Sequence, residues 1–271
     1  MPSLCEFTTA DGQPLHGLLY PATDPDERAV LLVHGVGGAF YTRPYPQVAE
    51  ALAGHGFTVL AANTRGHDWV TRGPDGSPSA GATFEVISDC LLDLDAGLAC
   101  LAEAGFRRFV VMGHSLGAVK VVLYQGTRQR ADVAAVVACS APKLFYSTRL
   151  TEQREFAEKI ARAQAMLAEG HGADLFSATA GSGPGLFSAR TYVDKYGPAE
   201  QTDLRRVAGS LGCPLLTIAG SAEFTPSFVP YAQELATLAD GACHIVQGAP
   251  HSYAGYETQI AALVADWLRA R

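Results

Sequence analysis

From residue 29 onward, short runs of β-branched and aromatic residues alternate with longer segments whose apolar residues step by three and four. No other feature limits the fold as strongly, because sustained strand–helix alternation yields a mostly parallel sheet covered by helices on both faces. Strands are expected at Ala29–Val33, Phe57–Ala62, Phe109–Met112, Val133–Cys139, Pro214–Ala219 and Cys243–Val246. Helices are expected at Pro46–Gly56, stopped by Gly54 and Gly56, at Thr83–Ala104, after Ser115, and from about Gly255 to Ala270. Two antiparallel strands, Leu4–Thr9 and Leu15–Tyr20, open the chain around an Asp11-Gly12 turn. Arg72–Gly81, rich in Gly, Pro and Ser, reads as a loop.

One stretch breaks the alternation. Lys143 to Pro198 lies between two expected strands and is too long for a single crossover helix. Within it, Glu152–Glu169 carries Phe156, Ile160, Ala163, Met166 and Leu167 at helical spacing. Gly170–Gly185 is dense in glycine, which would let the cap open. The whole reads as a helical cap, residues 143–198, inserted into a core formed by residues 1–142 and 199–271. It would lie over the C-terminal edge of the sheet, where ligands of open α/β sheets bind.

Composition narrows the partners. With 271 residues, 48% hydrophobic and 17% charged, the chain can bury a large core. A formal net charge of -7 without any basic cluster argues against nucleic acid. No apolar run approaches the ~20 residues of a membrane span. The opening MPSLCEFTTADG lacks a basic region followed by an apolar one, so it does not read as a signal peptide. The six cysteines are scattered and form no Cys-x-x-Cys, as expected of reduced thiols in a cytoplasmic protein without a zinc site.

The chemistry concentrates at Gly113-His114-Ser115-Leu116-Gly117, between an expected strand and an expected helix. A serine on so tight a turn presents its hydroxyl at the sheet edge, and the helix N-terminus favours developing negative charge there. Serine needs a base to act as a nucleophile. Of the eight histidines, His251 is favoured over His171 and His244, because its loop follows the last strand and reaches the same edge. An acid must then hold the imidazole. Ser140–Leu150, after one candidate strand, contains no Asp or Glu, whereas Gly220–Pro226 contains Glu223, so Glu223 is the acid by elimination. An oxyanion hole requires backbone N–H groups. Leu116 supplies one, and the His34-Gly35-Val36-Gly37-Gly38 loop supplies the other, with Val36 first choice and Gly37 second. His34 itself reads as structural. The aromatic residues Phe40, Tyr41, Tyr146, Phe187, Tyr192 and Phe224, with Phe145 and Tyr253, fall in loops or the cap and are expected to line an apolar pocket or pack beneath the cap.

Taken in order, His34-Gly35-Val36-Gly37, Gly113-His114-Ser115-Leu116-Gly117, the Gly220-to-Glu223 loop and His251 resemble the α/β-hydrolase superfamily over almost the whole chain. Asn63-Thr64-Arg65-Gly66-His67 also resembles the Asp-x-Arg-Gly-x-Gly segment of its capped, serine-nucleophile branch. The resemblance implies an eight-stranded sheet, a Ser–His–acid triad of Ser115, His251 and Glu223, and no cofactor or metal. It further implies a small-molecule ester or thioester substrate. The chain departs from the pattern in two places: glutamate stands where aspartate is usual, and His67-Asp68 follows Arg65-Gly66. These two residues would line the pocket or hold the loop.

Cleavage of a carboxylic ester is the expected reaction. Thioesters, amides and carbon–carbon bonds are alternatives on the same residues, and a non-catalytic ligand-binding member is another. Epoxide and dehalogenase chemistry normally needs a carboxylate where Ser115 stands. A dinucleotide-binding reading of Gly35-Val36-Gly37-Gly38-Ala39-Phe40 lacks its third glycine, which is Phe40. It also lacks an acid at the end of the next strand, which finishes Ala62-Asn63.

Overall fold

The structure is a computed structural model that describes residues 1–77, 79–152, 154–180 and 183–271. Eight strands form one sheet: β1 (Ser3–Thr8), β2 (Pro14–Tyr20), β3 (Arg28–Val33), β4 (Val59–Ala62), β5 (Arg108–His114), β6 (Val133–Cys139), β9 (Leu215–Ala222) and β10 (Ala242–Pro250). Their spatial order is β1-β2-β4-β3-β5-β6-β9-β10. The first two strands pair antiparallel, β2 pairs antiparallel with β4, and every later pairing is parallel. Gly12, with φ 88°, makes the opening turn.

Side-chain alternation along the central strands divides the interior in two. Ala29, Leu31 and Val33 of β3 face one core with α2 (Cys90–Glu103) and α3 (Leu116–Arg128). Val30 and Leu32 face the other, with α1 (Tyr45–Gly54) and α8 (Glu257–Arg269). A strand buried on both faces needs apolar residues throughout, which is why Arg108-Phe-Val-Val-Met and Val133-Ala-Ala-Val-Val-Ala-Cys read as continuous runs. α7 (Phe228–Leu238) covers β9 and β10.

Between β6 and β9 the chain forms α4 (Tyr146–Glu152), α5 (Arg154–Ala168), the antiparallel hairpin of β7 (Leu175–Ala180) and β8 (Gly183–Ser188), and α6 (Ala189–Tyr196). Helices are present as the spacing predicts. The glycine-dense stretch contributes to this hairpin, with Phe176 opposite Phe187 and both rings buried. Residue 153 of the expected Glu152–Glu169 helix and residues 181 and 182 of the glycine-dense stretch lie outside the described residues.

A further difference concerns Thr83–Ala104. Thr83 to Val86 are not helical; a 3₁₀ turn at Ile87–Asp89 leads into α2. The backbone of Thr83 is engaged by the insertion instead: its carbonyl accepts from the Ser188 amide at 2.9 Å, and its hydroxyl donates to the Leu186 carbonyl at 2.9 Å. Tertiary hydrogen bonds outweigh the helical periodicity there.

Candidate active site

Ser115 stands between β5 and α3 with φ 57° and ψ -122°, a backbone conformation disfavoured for a residue with a Cβ. Close packing holds the turn. A Cβ on Gly113 would overlap the Gly117 carbonyl, and a Cβ on Gly117 would overlap the Val33 carbonyl of β3. The Ser115 amide donates to the Cys139 carbonyl of β6 at 2.8 Å. The turn is therefore seated on both neighbouring strands.

The ends of β9 and β10 bring the other two residues to it. His251 Nε2 lies 3.0 Å from Ser115 Oγ, and His251 Nδ1 lies 2.6 Å from Glu223 Oε2. An ionised carboxylate only accepts, so Nδ1 carries the proton and Nε2 is left to accept from the serine hydroxyl. The Glu223 side chain is 3% exposed. Its other oxygen, Oε1, accepts from the Ser140 hydroxyl, and Ser140 Oγ is 2.6 Å from Tyr253 Oη. The single Ser140 proton goes to the carboxylate, so Tyr253 donates to Ser140. The glutamate is thus fixed at both oxygens despite its extra methylene. Ser140 immediately follows β6 and opens the loop that holds no acid.

A second hydrogen-bonded chain links three loops of the site. His114 Nε2 is 2.7 Å from the His251 carbonyl, which can only accept, so Nε2 bears hydrogen. Burial first, and the neighbouring His251, push the His114 pKa down to about 3, so the ring is neutral and Nδ1 is an acceptor. Tyr45 Oη, 3.0 Å away, donates to it and in turn accepts from the Gly35 amide at 2.7 Å. His34 is also neutral, held at about 3 by burial and by Lys120. Its Nε2 accepts from the Thr64 amide at 3.0 Å, and its Nδ1 donates to the Gly35 carbonyl at 2.8 Å. Gly35 is held at both its amide and its carbonyl. A Cβ there would stand 2.9 Å from Ser115 Cβ, so the loop that carries Val36 passes directly against the serine.

A cavity of about 200 Å³ opens at Ser115 and His251. Gly35, Val36, Leu116, Tyr45, His114, Pro142, Leu144, Tyr196 and Phe224 complete its lining. Among the described residues that line it there is no Asp, Glu, Lys or Arg.

The structure brings Ser115, His251, Glu223, Val36 and Leu116 to one place. Of the expected pocket aromatics, Phe224 lines the cavity and packs its ring 4.7 Å from that of His251. The others lie elsewhere. Phe187 and Tyr192 are buried core of the insertion, and Tyr146 packs on Phe156. Phe145 is buried against Tyr231. Phe40 packs against the core that contains α1. Tyr41 is 56% exposed and donates to Asp68. His67 and Asp68 pair with each other at 2.7 Å, outside the cavity lining, and the Asp68 amide donates to the Gly38 carbonyl. They hold the loop. Tyr45, His114, Ser140 and Tyr196 carried no sequence signal for these positions, because their partners come from distant segments. Among the described residues, no group of three or more His, Cys, Asp or Glu is placed to hold a metal ion. No described helix is long and apolar enough to cross a membrane.

Comparison with known proteins agrees with this fold. The alpha/beta hydrolase GrgF from Penicillium sp. sh18 superposes with a TM-score of 0.72 at 15% identity, covering 100% of this chain and 98% of that one. Est1E from Butyrivibrio proteoclasticus gives 0.66 at 15% identity, with 97% of each chain covered. The esterase Pf2001 of Pyrococcus furiosus gives 0.62 at 18% identity, covering 100% of this chain and 91% of that one. No curated protein matches the sequence. The profile of the Alpha/beta hydrolase family matches residues 30–267. By that match, over most of its length, the chain belongs to the alpha/beta hydrolase family.

Proposed function

We propose that the protein is a serine hydrolase that cleaves a carboxylic ester of a small or medium apolar substrate. The observation that carries this reading is the continuous relay from Glu223 Oε2 through His251 to Ser115 Oγ, at 2.6 Å and 3.0 Å. The uncharged cavity lining supports a neutral acyl or alcohol group. An esterase among the similar structures supports the ester linkage.

In this mechanism His251 Nε2 removes the proton of Ser115 as Oγ attacks the ester carbonyl. The carbonyl oxygen becomes an oxyanion that accepts from the Val36 and Leu116 amides. Both amides are suited to that role. Leu116 is the first residue of α3 and has no intrahelical acceptor, and Val36 follows the loop pinned through Gly35. The tetrahedral intermediate collapses, and the alcohol leaves with the proton from His251. Water then gives a proton to His251 and attacks the acyl-enzyme, and the carboxylic acid departs as Ser115 regains its hydrogen. Glu223 holds the imidazole tautomer and stabilises the imidazolium in both halves.

Steady-state hydrolysis of p-nitrophenyl esters tests the reading. Ser115→Ala should lower kcat by on the order of 10⁴- to 10⁶-fold with an unchanged melting curve. Glu223→Gln should cost less, on the order of 10²- to 10⁴-fold. Wild-type turnover in Ser115→Ala would overturn the proposal.

A further inference from the structure

The buried charges of this protein are not all spent on the relay. Glu85 lies between two lysines, Lys120 of α3 and Lys195 of α6, and all three side chains are at most 1% exposed. Lys120 Nζ contacts Glu85 Oε1, and Lys195 Nζ stands 2.7 Å from Oε2. Lys195 also reaches the Ala82 carbonyl at 3.4 Å, and Lys120 donates to Thr64 Oγ1 at 2.7 Å. One carboxylate therefore joins the helix that follows Ser115 to the last helix of the insertion. Neutral side chains would fill the same volume without the cost of desolvating three charges, so stability alone is a poor reason for the cluster.

The neighbour of Lys195 gives a better reason. Tyr196, the next residue on α6, lines the cavity at Ser115 and is buried there. Among the described residues it is the one lining side chain borne by a helix of the insertion. Segment 82–87 is the seat for this part of the chain. Besides the Thr83 bonds to Leu186 and Ser188, the Ile87 amide donates to Asp194 Oδ2 at 2.6 Å. Adjacent residues of α6 thus divide the work, since Asp194 and Lys195 bind the seat while Tyr196 faces the site. Behind Tyr196, the Arg149 guanidinium lies 4.6 Å from the ring centroid.

We infer that the Lys120–Glu85–Lys195 cluster clamps α6 to the core and so sets the reach of the cavity through Tyr196. In this account Tyr196 determines acyl-chain length, and Glu85, Lys120 and Lys195 are positioning residues. The inference rests on the serine-hydrolase reading for its substrate, but the clamp can be tested without it.

The choice of variant matters. Glu85→Gln would leave two buried ammonium groups without a carboxylate and should fail to fold. Lys195→Met leaves Glu85 paired one-to-one with Lys120 and should fold. The kinetic readout is the ratio of kcat/KM for a long against a short p-nitrophenyl acyl ester. Tyr196→Ala should raise that ratio about tenfold or more, as expected when side-chain volume is removed from an apolar pocket. Tyr196→Phe should leave it unchanged. Lys195→Met should raise it in the same direction, and the double variant should add little to Tyr196→Ala. A lowered melting temperature in Lys195→Met with the wild-type ratio would overturn the clamp, as would full additivity. Native-state hydrogen exchange of the wild type is the second arm and needs neither a variant nor a substrate. Amides of α6 should be protected to the level of β5, whereas exchange as fast as a surface loop would overturn the inference. If the wild type hydrolyses no ester, the proposed function fails while the exchange arm still decides the clamp.

Discussion

Two neutral imidazoles hold the frame of the site while a third faces Ser115. His34 and His114 are both buried and both held down at about 3; His34 joins the Gly35 loop to Thr64, and His114 joins it, through Tyr45, to the His251 loop. In an unfolded chain each would titrate at about 6.5. Between those values the unfolded state binds one more proton at each ring than the native state. Stability is therefore fully present above about pH 6.5 and is lost as pH falls through that window towards about 3. Each ring contributes a slope of about 1.4 kcal/mol per pH unit, and the pair about 3. In urea melts at about pH 7, 6 and 5, His114→Gln should lose less stability than the wild type as pH falls, by up to about 1.4 kcal/mol per pH unit at the lower end of the range. Equal slopes in the wild type and in His114→Gln would mean that the His114 ring is charged in the native protein. Ser115, Glu223 and His251 were legible in the sequence, since each follows a strand of recognisable composition. The two frame histidines were visible as letters only: His34 read as structural and His114 had no assigned role, because their partners Thr64, Tyr45 and the His251 carbonyl lie far along the chain.

At the scale of elements, the strand–turn–helix of β5, Ser115 and α3 depends on contact distance more than on propensity. Gly117 passes so close to the Val33 carbonyl that a methyl group has no place. Gly117→Ala should cost about 3 kcal/mol or more and move the serine turn away from β3, lowering activity together with the denaturation midpoint. A fully stable and active Gly117→Ala protein would contradict the packing described here. The regular elements were legible because strands buried on both faces and amphipathic helices impose their periods on the sequence. The segment before α2 was not. Phe84 and Ile87 continue the helical spacing of Leu91, Leu94 and Leu98, yet Thr83 and Glu85 are taken up by Leu186, Ser188 and the two lysines. The hairpin of β7 and β8 was hidden for a related reason. Its glycines suggest a loose segment, whereas Phe176 and Phe187 pair and bury their rings with Tyr192. In neither place does the local period report the contact that decides the structure.

Across the whole molecule, the site exists only where the ends of β3, β5, β6, β9 and β10 meet, and the insertion adds Leu144 and Tyr196. No single segment contains it. The order of Ser115, Glu223 and His251 along the chain, and the parallel sheet that gathers them, were readable in advance, since strand ends on one edge are the consequence of parallel pairing. The reach of the cavity was not, because it depends on which face of α6 turns inward. The central claim is that Ser115 is an activated nucleophile, and a fluorophosphonate probe with peptide mapping tests it most directly. The account predicts one adduct on Ser115 in the wild type, none in Ser115→Ala, and slower labelling in Glu223→Gln. Folded wild-type protein that does not label, or an adduct on another residue that persists in Ser115→Ala, would contradict it.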